Sequence, residues 1–138
     1  MEVSEQTYRF LKTICICSMS NDLRKRTRGA YKLPRVEATR TPRVDQVIKT
    51  LASQSAKMAD RELARLQTFV LDSLAPVSSL IEMLSQPEDE SHRLSIEKVR
   101  TAVSTAAELI GNASAHISRL RREMVSSINK SLLPLVKG

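Results

Sequence analysis

The sequence predicts an all-α protein. Two observations carry that reading. Ile96, Val99, Val103, Ala106, Ile110, Ala113, Ile117, Leu120 and Met124 recur at alternating steps of three and four, which places nine apolar residues on one helical stripe. Leu63, Leu66, Val70, Val77, Leu80 and Leu84 repeat the pattern upstream, with Ser73 at the remaining heptad position and Leu74 and Ile81 widening the stripe. The expected architecture is an antiparallel helical hairpin of two long amphipathic helices, preceded by a shorter helix and a disordered basic segment.

Residues 1–42 form the expected leader. Within it, residues 1–20 fit a short helix, although Ile14-Cys15-Ile16-Cys17 fits a strand equally well. From Asn21 to Pro42 the arginines and prolines disfavour burial. The cluster Arg24, Lys25, Arg26 and Arg28 has the composition of a nuclear-import or nucleic-acid patch, and equally that of a solvated linker. The helical domain is expected over residues 43–130. Val44, Val47, Ile48, Leu51 and Met58 mark a first helix, 43–58. Asp60 caps or continues into a second, 60–85, kinked at Pro76 because the proline ring removes one backbone bond and clashes with the carbonyl of Asp72. Gln86–Ser91 reads as an acidic turn.

The third helix, 96–129, is the longest. Ser95 is placed to cap it, with Leu94 and Val99 as a hydrophobic staple. Isoleucine or valine fills four of its a positions, and the central d positions are Ala106 and Ala113. Ala102, Leu109 and His116 lie at g. Gly111 and Asn112 fall on b and c and are expected to face outward, at a cost of about 1 kcal/mol for the glycine. The nine-residue stripe is expected to be buried. Residues 131–138 form an apolar tail around Pro134, as if the chain stops before an element that would cover it.

Composition narrows the functional classes. Phe69 is the only aromatic residue beyond Tyr31, so the helical core is thin and aliphatic, and self-association or a partner would offset its marginal stability. Net charge is +6 over residues 1–43, −4 over 44–91 and +5 over 92–138. A basic head and tail around an acidic middle fit RNA or DNA, or head-to-tail contact between copies. Candidate nucleic-acid contacts are Arg24, Lys25, Arg26, Arg28, Arg119, Arg121 and Arg122. Without a stacking platform or groove-reading module, such binding is expected to be electrostatic and sequence-tolerant.

Cys15 and Cys17 are too close in sequence for an ordinary disulfide and lack partners for a closed zinc site, so free thiols in a reducing compartment are expected. His92 and His116 are isolated. There is no glycine-rich phosphate loop and no catalytic pattern, so no enzyme, cofactor or metal is expected. The run Phe10–Met19 is too short to span a bilayer, and an intracellular, non-membrane protein in cytoplasm or nucleus is expected.

Three stretches add a family likeness: TPRVDQVIK (41–49), ADRELARLQTFVLDSLAPVSSLIEML (59–84) and LIGNASAHISRLRREMVSSINKSLLPLV (109–136). Over residues 41–136 the chain resembles the Gag-like first-frame protein of DIRS-type tyrosine-recombinase retrotransposons. Its basic stretch RLRRE is shorter than that of the family; against the resemblance, residues 1–40 stand in place of the family's disordered leader and the sequence stops at Gly138 where relatives continue, so a truncated or domesticated copy is expected. The resemblance implies a helical structural protein that assembles with itself and associates with element RNA. The competing reading is an adaptor that binds a protein partner through the Ile96–Met124 stripe.

Overall fold

The structure, a computed structural model, describes residues 1–86 and 95–137, with side chains described to residue 130. The all-α expectation holds. The described residues form α1 (Glu5–Ile16), α2 (Asn21–Gly29), α3 (Gln46–Leu51), α4 (Gln54–Asp72), α5 (Leu74–Ser85) and α6 (Ile96–Lys137), with one 3-10 turn at Glu37–Thr39. The expected acidic turn, the staple residue Leu94 and His92 lie outside the described residues.

Helix starts follow short polar caps. Ser4, Ser20 and Ser53 each accept a backbone N–H three residues on, and Asp45 accepts the amide of Val47 at 2.8 Å. Ser95 caps α6 as expected, accepting from the amide of Lys98 at 3.2 Å. α4 starts at Gln54 behind Ser53, upstream of the expected Asp60. The expected 43–58 helix is therefore divided, and its apolar residues Val47, Ile48 and Leu51 are exposed on α3.

The discontinuity expected at Pro76 falls at Ser73. This residue ends α4 and precedes α5 while keeping right-handed helical angles (φ −65°, ψ −19°). Its amide bonds to the carbonyl of Val70, and its hydroxyl donates to the same oxygen at 2.8 Å. Pro76 thereby occupies the third residue of α5, where a missing N–H costs no internal bond. The chain is offset here rather than reversed. α6 in turn outruns its expected end at Asn129 and stays helical past Pro134 to Lys137. Its 42 residues extend about 63 Å.

α6 is the axis of the molecule: α1, α2, α4 and α5 all pack against it. The core is small and mostly aliphatic: Leu66, Phe69 and Ala75 from α4 and α5, and Ala102, Ala106, Leu109, Ala113 and Ala115 from α6, are buried. The alanines let neighbouring helices approach closely, and the partly buried Leu120 closes one end of the Leu66–Phe69–Ala113 cluster.

The N-terminal 42 residues depart from expectation. They are not a disordered leader: α1 and α2 are regular helices against α6, and the stretch Ile14–Cys17 is helical up to Ile16. Further on, the hydroxyl of Thr41 pairs with that of Thr68 on α4 at 2.6 Å. Like charges along residues 1–42 disfavour burial. Two of those charges turn out to be neutralised internally.

Candidate functional site

Two features of the folded chain carry chemistry: a polar knot where α2, α4 and α6 meet, and an apolar seam left open on α6.

The knot is built around Asp72, the last residue of α4, which is 2% exposed. Its Oδ2 accepts from Nη1 of Arg24 at 2.5 Å, and its Oδ1 lies 3.6 Å from Nη1 of Arg28. Arg24 and Arg28 are one helical turn apart, so α2 presents both guanidiniums to one carboxylate. The Arg24 guanidinium also lies 4.8 Å from the centre of the Phe69 ring, with that of Arg65 at 5.1 Å. Against Phe69 sits His116, with ring centres 4.7 Å apart and planes tilted by 46°. A buried carboxylate with one partner removed is costly, and here two cations and a ring hold the arrangement together.

Charges around His116 decide its state. Burial pushes the imidazole below its ordinary range, and the nearby guanidiniums of Arg65 and Arg119 push the same way. Glu62 and a backbone contact with Met19 oppose them. Glu62 itself is held below the usual carboxylate range, chiefly by its hydrogen bond from Arg65. His116 is thus a neutral ring in the folded protein near pH 7, and its Nδ1 is buried without a partner.

One turn earlier on α6, Gly111 and Asn112 receive the N-terminal arm. A Cβ on Gly111 would lie 2.4 Å from the carbonyl oxygen of Ile14 and 2.7 Å from its carbon, so α1 crosses here backbone against backbone. Oδ1 of Asn112 accepts from the amide of Met19 at 2.7 Å. Arg119 donates to the hydroxyl of Ser18 at 2.6 Å. The b and c positions expected to face outward are therefore buried, Asn112 to 1% exposure. The phrase GNASAHIS is a docking surface for α1 and the link to α2.

The heptad stripe divides in the same way. Ala106 and Ala113 are buried, while Val99 and Leu120 are half-buried. Ile96, Val103, Ile110, Ile117 and Met124 remain on the surface, correcting the expectation that all nine are interior. The buried seam runs instead through d and g: Val99, Ala102, Ala106, Leu109, Ala113 and His116. α4 and α5 lie on that side, and Gly111 and Asn112 at b and c receive α1 and the link after it, so among the described residues the a positions are left exposed.

The seven basic candidates are split by these contacts. Arg24 and Arg28 are occupied by Asp72, and Arg119 is held to Ser18. Lys25, Arg26, Arg121 and Arg122 are exposed. Asp72 and His116 were missed as a pair because nothing in their spacing connects them, although a lone acid inside an apolar stripe was a usable signal. Among the described residues no three His, Cys, Asp or Glu side chains converge as a metal site requires, and Cys15 and Cys17 are exposed free thiols. Gln54–Ser85 is long and apolar enough to cross a membrane by length and composition, yet it contains the ion-paired Asp72.

Against this geometry, the family model described as Domain of unknown function (DUF8747) matches residues 2–138. The chain belongs to that family. The match takes in the N-terminal arm together with α3–α6. No curated protein and no solved structure matches the chain.

Proposed function

We propose that this member of the DUF8747 family is a non-enzymatic structural module that self-associates through α6 and binds nucleic acid by charge, as its likeness to retroelement Gag-like proteins implies. One observation carries the reading. Five aliphatic or methionine side chains at strict seven-residue spacing stay between 36% and 77% exposed along one face of α6. A solvated helix face has no need of that repeat. Ala107 and Ser114 lie between the large residues on this face, so the same face of a second copy can interdigitate with it. Coiled-coil pairing of α6 with its counterpart is the form this association takes.

Sedimentation equilibrium of the full chain tests it. The unaltered protein should form a defined oligomer. Replacing Ile110 and Ile117 together by aspartate should yield a monomer with unchanged helical circular dichroism. A wild-type monomer without affinity for RNA would favour the adaptor reading, in which the same stripe receives a different protein.

The nucleic-acid part rests on the four exposed cations. Alanine at Lys25, Arg26, Arg121 and Arg122 should weaken RNA binding for unrelated sequences alike. It should also flatten the dependence of log affinity on log salt by up to about 3–4 units, as counterion release requires. Affinity indifferent to salt would exclude the electrostatic mode.

A further inference from the structure

The open face of α6 carries more than its apolar repeat. Each large residue at a is flanked on the same face by the residue at e. Those e positions are small in the middle, Ala107 and Ser114, and basic towards the ends, Arg100 and Arg121. Both arginines are exposed. Within one chain they stand 21 residues apart, about 32 Å along the helix, so they cannot share a phosphate. Arg122 is next to Arg121, and the two line one open hollow with Ser118 and Val125.

Resting on the self-association proposed above, we infer that two copies pair antiparallel along this face and thereby build a composite site for RNA phosphates at each end. Each site takes Arg121 and Arg122 from one copy and Arg100 from the other. The order of large and small residues sets the direction. When residue 112 of one copy is level with residue 112 of the other, Ile110 meets Ser114 of the second copy and Ile117 meets its Ala107. Large side chains at the centre then face small ones, which lets the helices close without voids. Arg100 falls opposite Met124 and Arg121 opposite Val103, so each guanidinium reaches the rim along an apolar neighbour. A parallel pair in register would set Ala107 on Ala107 and Ser114 on Ser114, leaving the centre underfilled. It would also set Arg100 on Arg100 and Arg121 on Arg121, which repel. The antiparallel pair is two-fold symmetric and closes as a dimer.

In that register Arg100 of the second copy is level with residue 124, about 5 Å along the axis from Arg121. Three guanidiniums from two chains then stand within about one helical turn of each other. Glu123, the acid beside them in sequence, acts instead on Arg65 of α4. With no aromatic residue on this face, the site holds phosphates and does not read bases. A lone chain carries only half of each site, so RNA affinity depends on pairing.

Two measurements on the full chain test this. The first uses spin labels on Ser126→Cys, with Cys15→Ser and Cys17→Ser to remove the native thiols. Antiparallel pairing sets residue 126 level with residue 98 of the second copy, so electron double resonance should read about 42 Å between labels. Parallel pairing would bring them within about 20 Å. The second mixes chains and follows binding of a short single-stranded RNA of mixed sequence. Dimers of Arg100→Ala, and dimers of Arg121→Ala with Arg122→Ala, should each bind about tenfold more weakly than the unaltered protein. When the two variants exchange chains, the mixed dimer has one site with all three arginines and one with none. Tight binding should therefore return on mixing. A dimer with the short label distance, no recovery on mixing, or no RNA binding by the unaltered dimer would each overturn the inference and leave self-association standing. A monomer in sedimentation would overturn self-association itself, and the composite site with it.

Discussion

The two sides of α6 are attached by different physics. On the α4–α5 side, Leu66 and Phe69 cluster with Ala113, and Ala75, Ala102 and Leu109 are buried, so the seam is apolar. On the α1–α2 side, Gly111 and Asn112 of α6 receive the backbone of Ile14 and the amide of Met19, Arg119 holds Ser18, Arg24 pairs with Asp72 at the end of α4, and no side chain of α1 or α2 is fully removed from water. An apolar seam leaves its period in the sequence, so it can be found without knowing the partner. A polar seam depends on which donor meets which acceptor, and the chain carries no period for that. The apolar side should govern whether the protein folds, and the polar side whether the arm stays on.

The contrast can be broken most severely at Asp72, where the two sides touch. Asp72→Ala would leave Arg24 desolvated beside Phe69 without its anion. Removing one partner of a buried pair costs about 3–5 kcal/mol, and urea unfolding should show a loss of that order. The charge-removing double variant Asp72→Leu with Arg24→Met should recover most of it.

Leu109→Ala tests the apolar side alone. The residue is 1% exposed, and truncation of such a leucine costs about 2–5 kcal/mol. Met19 and core amides should lose protection together, because the arm has nothing to dock on once α6 loosens.

Gly111→Ala tests the polar side. A methyl group there meets the backbone of Ile14, which cannot swing aside as a side chain can. Overpacking of this kind costs about 1–3 kcal/mol, more than offsetting the gain of about 1 kcal/mol in helix propensity. Its signature is selective: α1 should detach and expose Cys15 and Cys17 further to thiol reagents, with the α4–α6 amides still protected.

The smallest effect on folding is expected at Ile110, which is 54% exposed. Ile110→Asp should shift the unfolding free energy of the monomer by no more than about 0.5 kcal/mol, the usual range for surface changes. A loss of several kcal/mol at a concentration where the chain is monomeric would mean that the a positions are interior after all.

Much of this was legible beforehand. The repeats from Leu63 to Leu84 and from Ile96 to Met124 established an all-α chain and the dominance of the last helix. Ser95 marked where that helix begins. Pro76 announced a discontinuity, displaced to Ser73 because a proline fits the first turn of a new helix better than the middle of an old one. Arg24 to Arg28 read as a solvated run because like charges in sequence normally repel burial. Only the fold places Asp72, 48 residues away, against two of them.

The sequence by itself determined that α6 would be long, amphipathic and central, since side-chain period is a local property of a helix. It could not determine which edge of a broad stripe would be covered. Residues at a and d, and Ala102 and Leu109 at g, are apolar, and their period is the same whichever edge faces inward. The tertiary structure decided that point through close approach. Ala102, Ala106 and Ala113 admit neighbouring helices on the d/g side, Gly111 admits the backbone of α1 on the opposite flank, and the isoleucines between them are left for solvent or another chain.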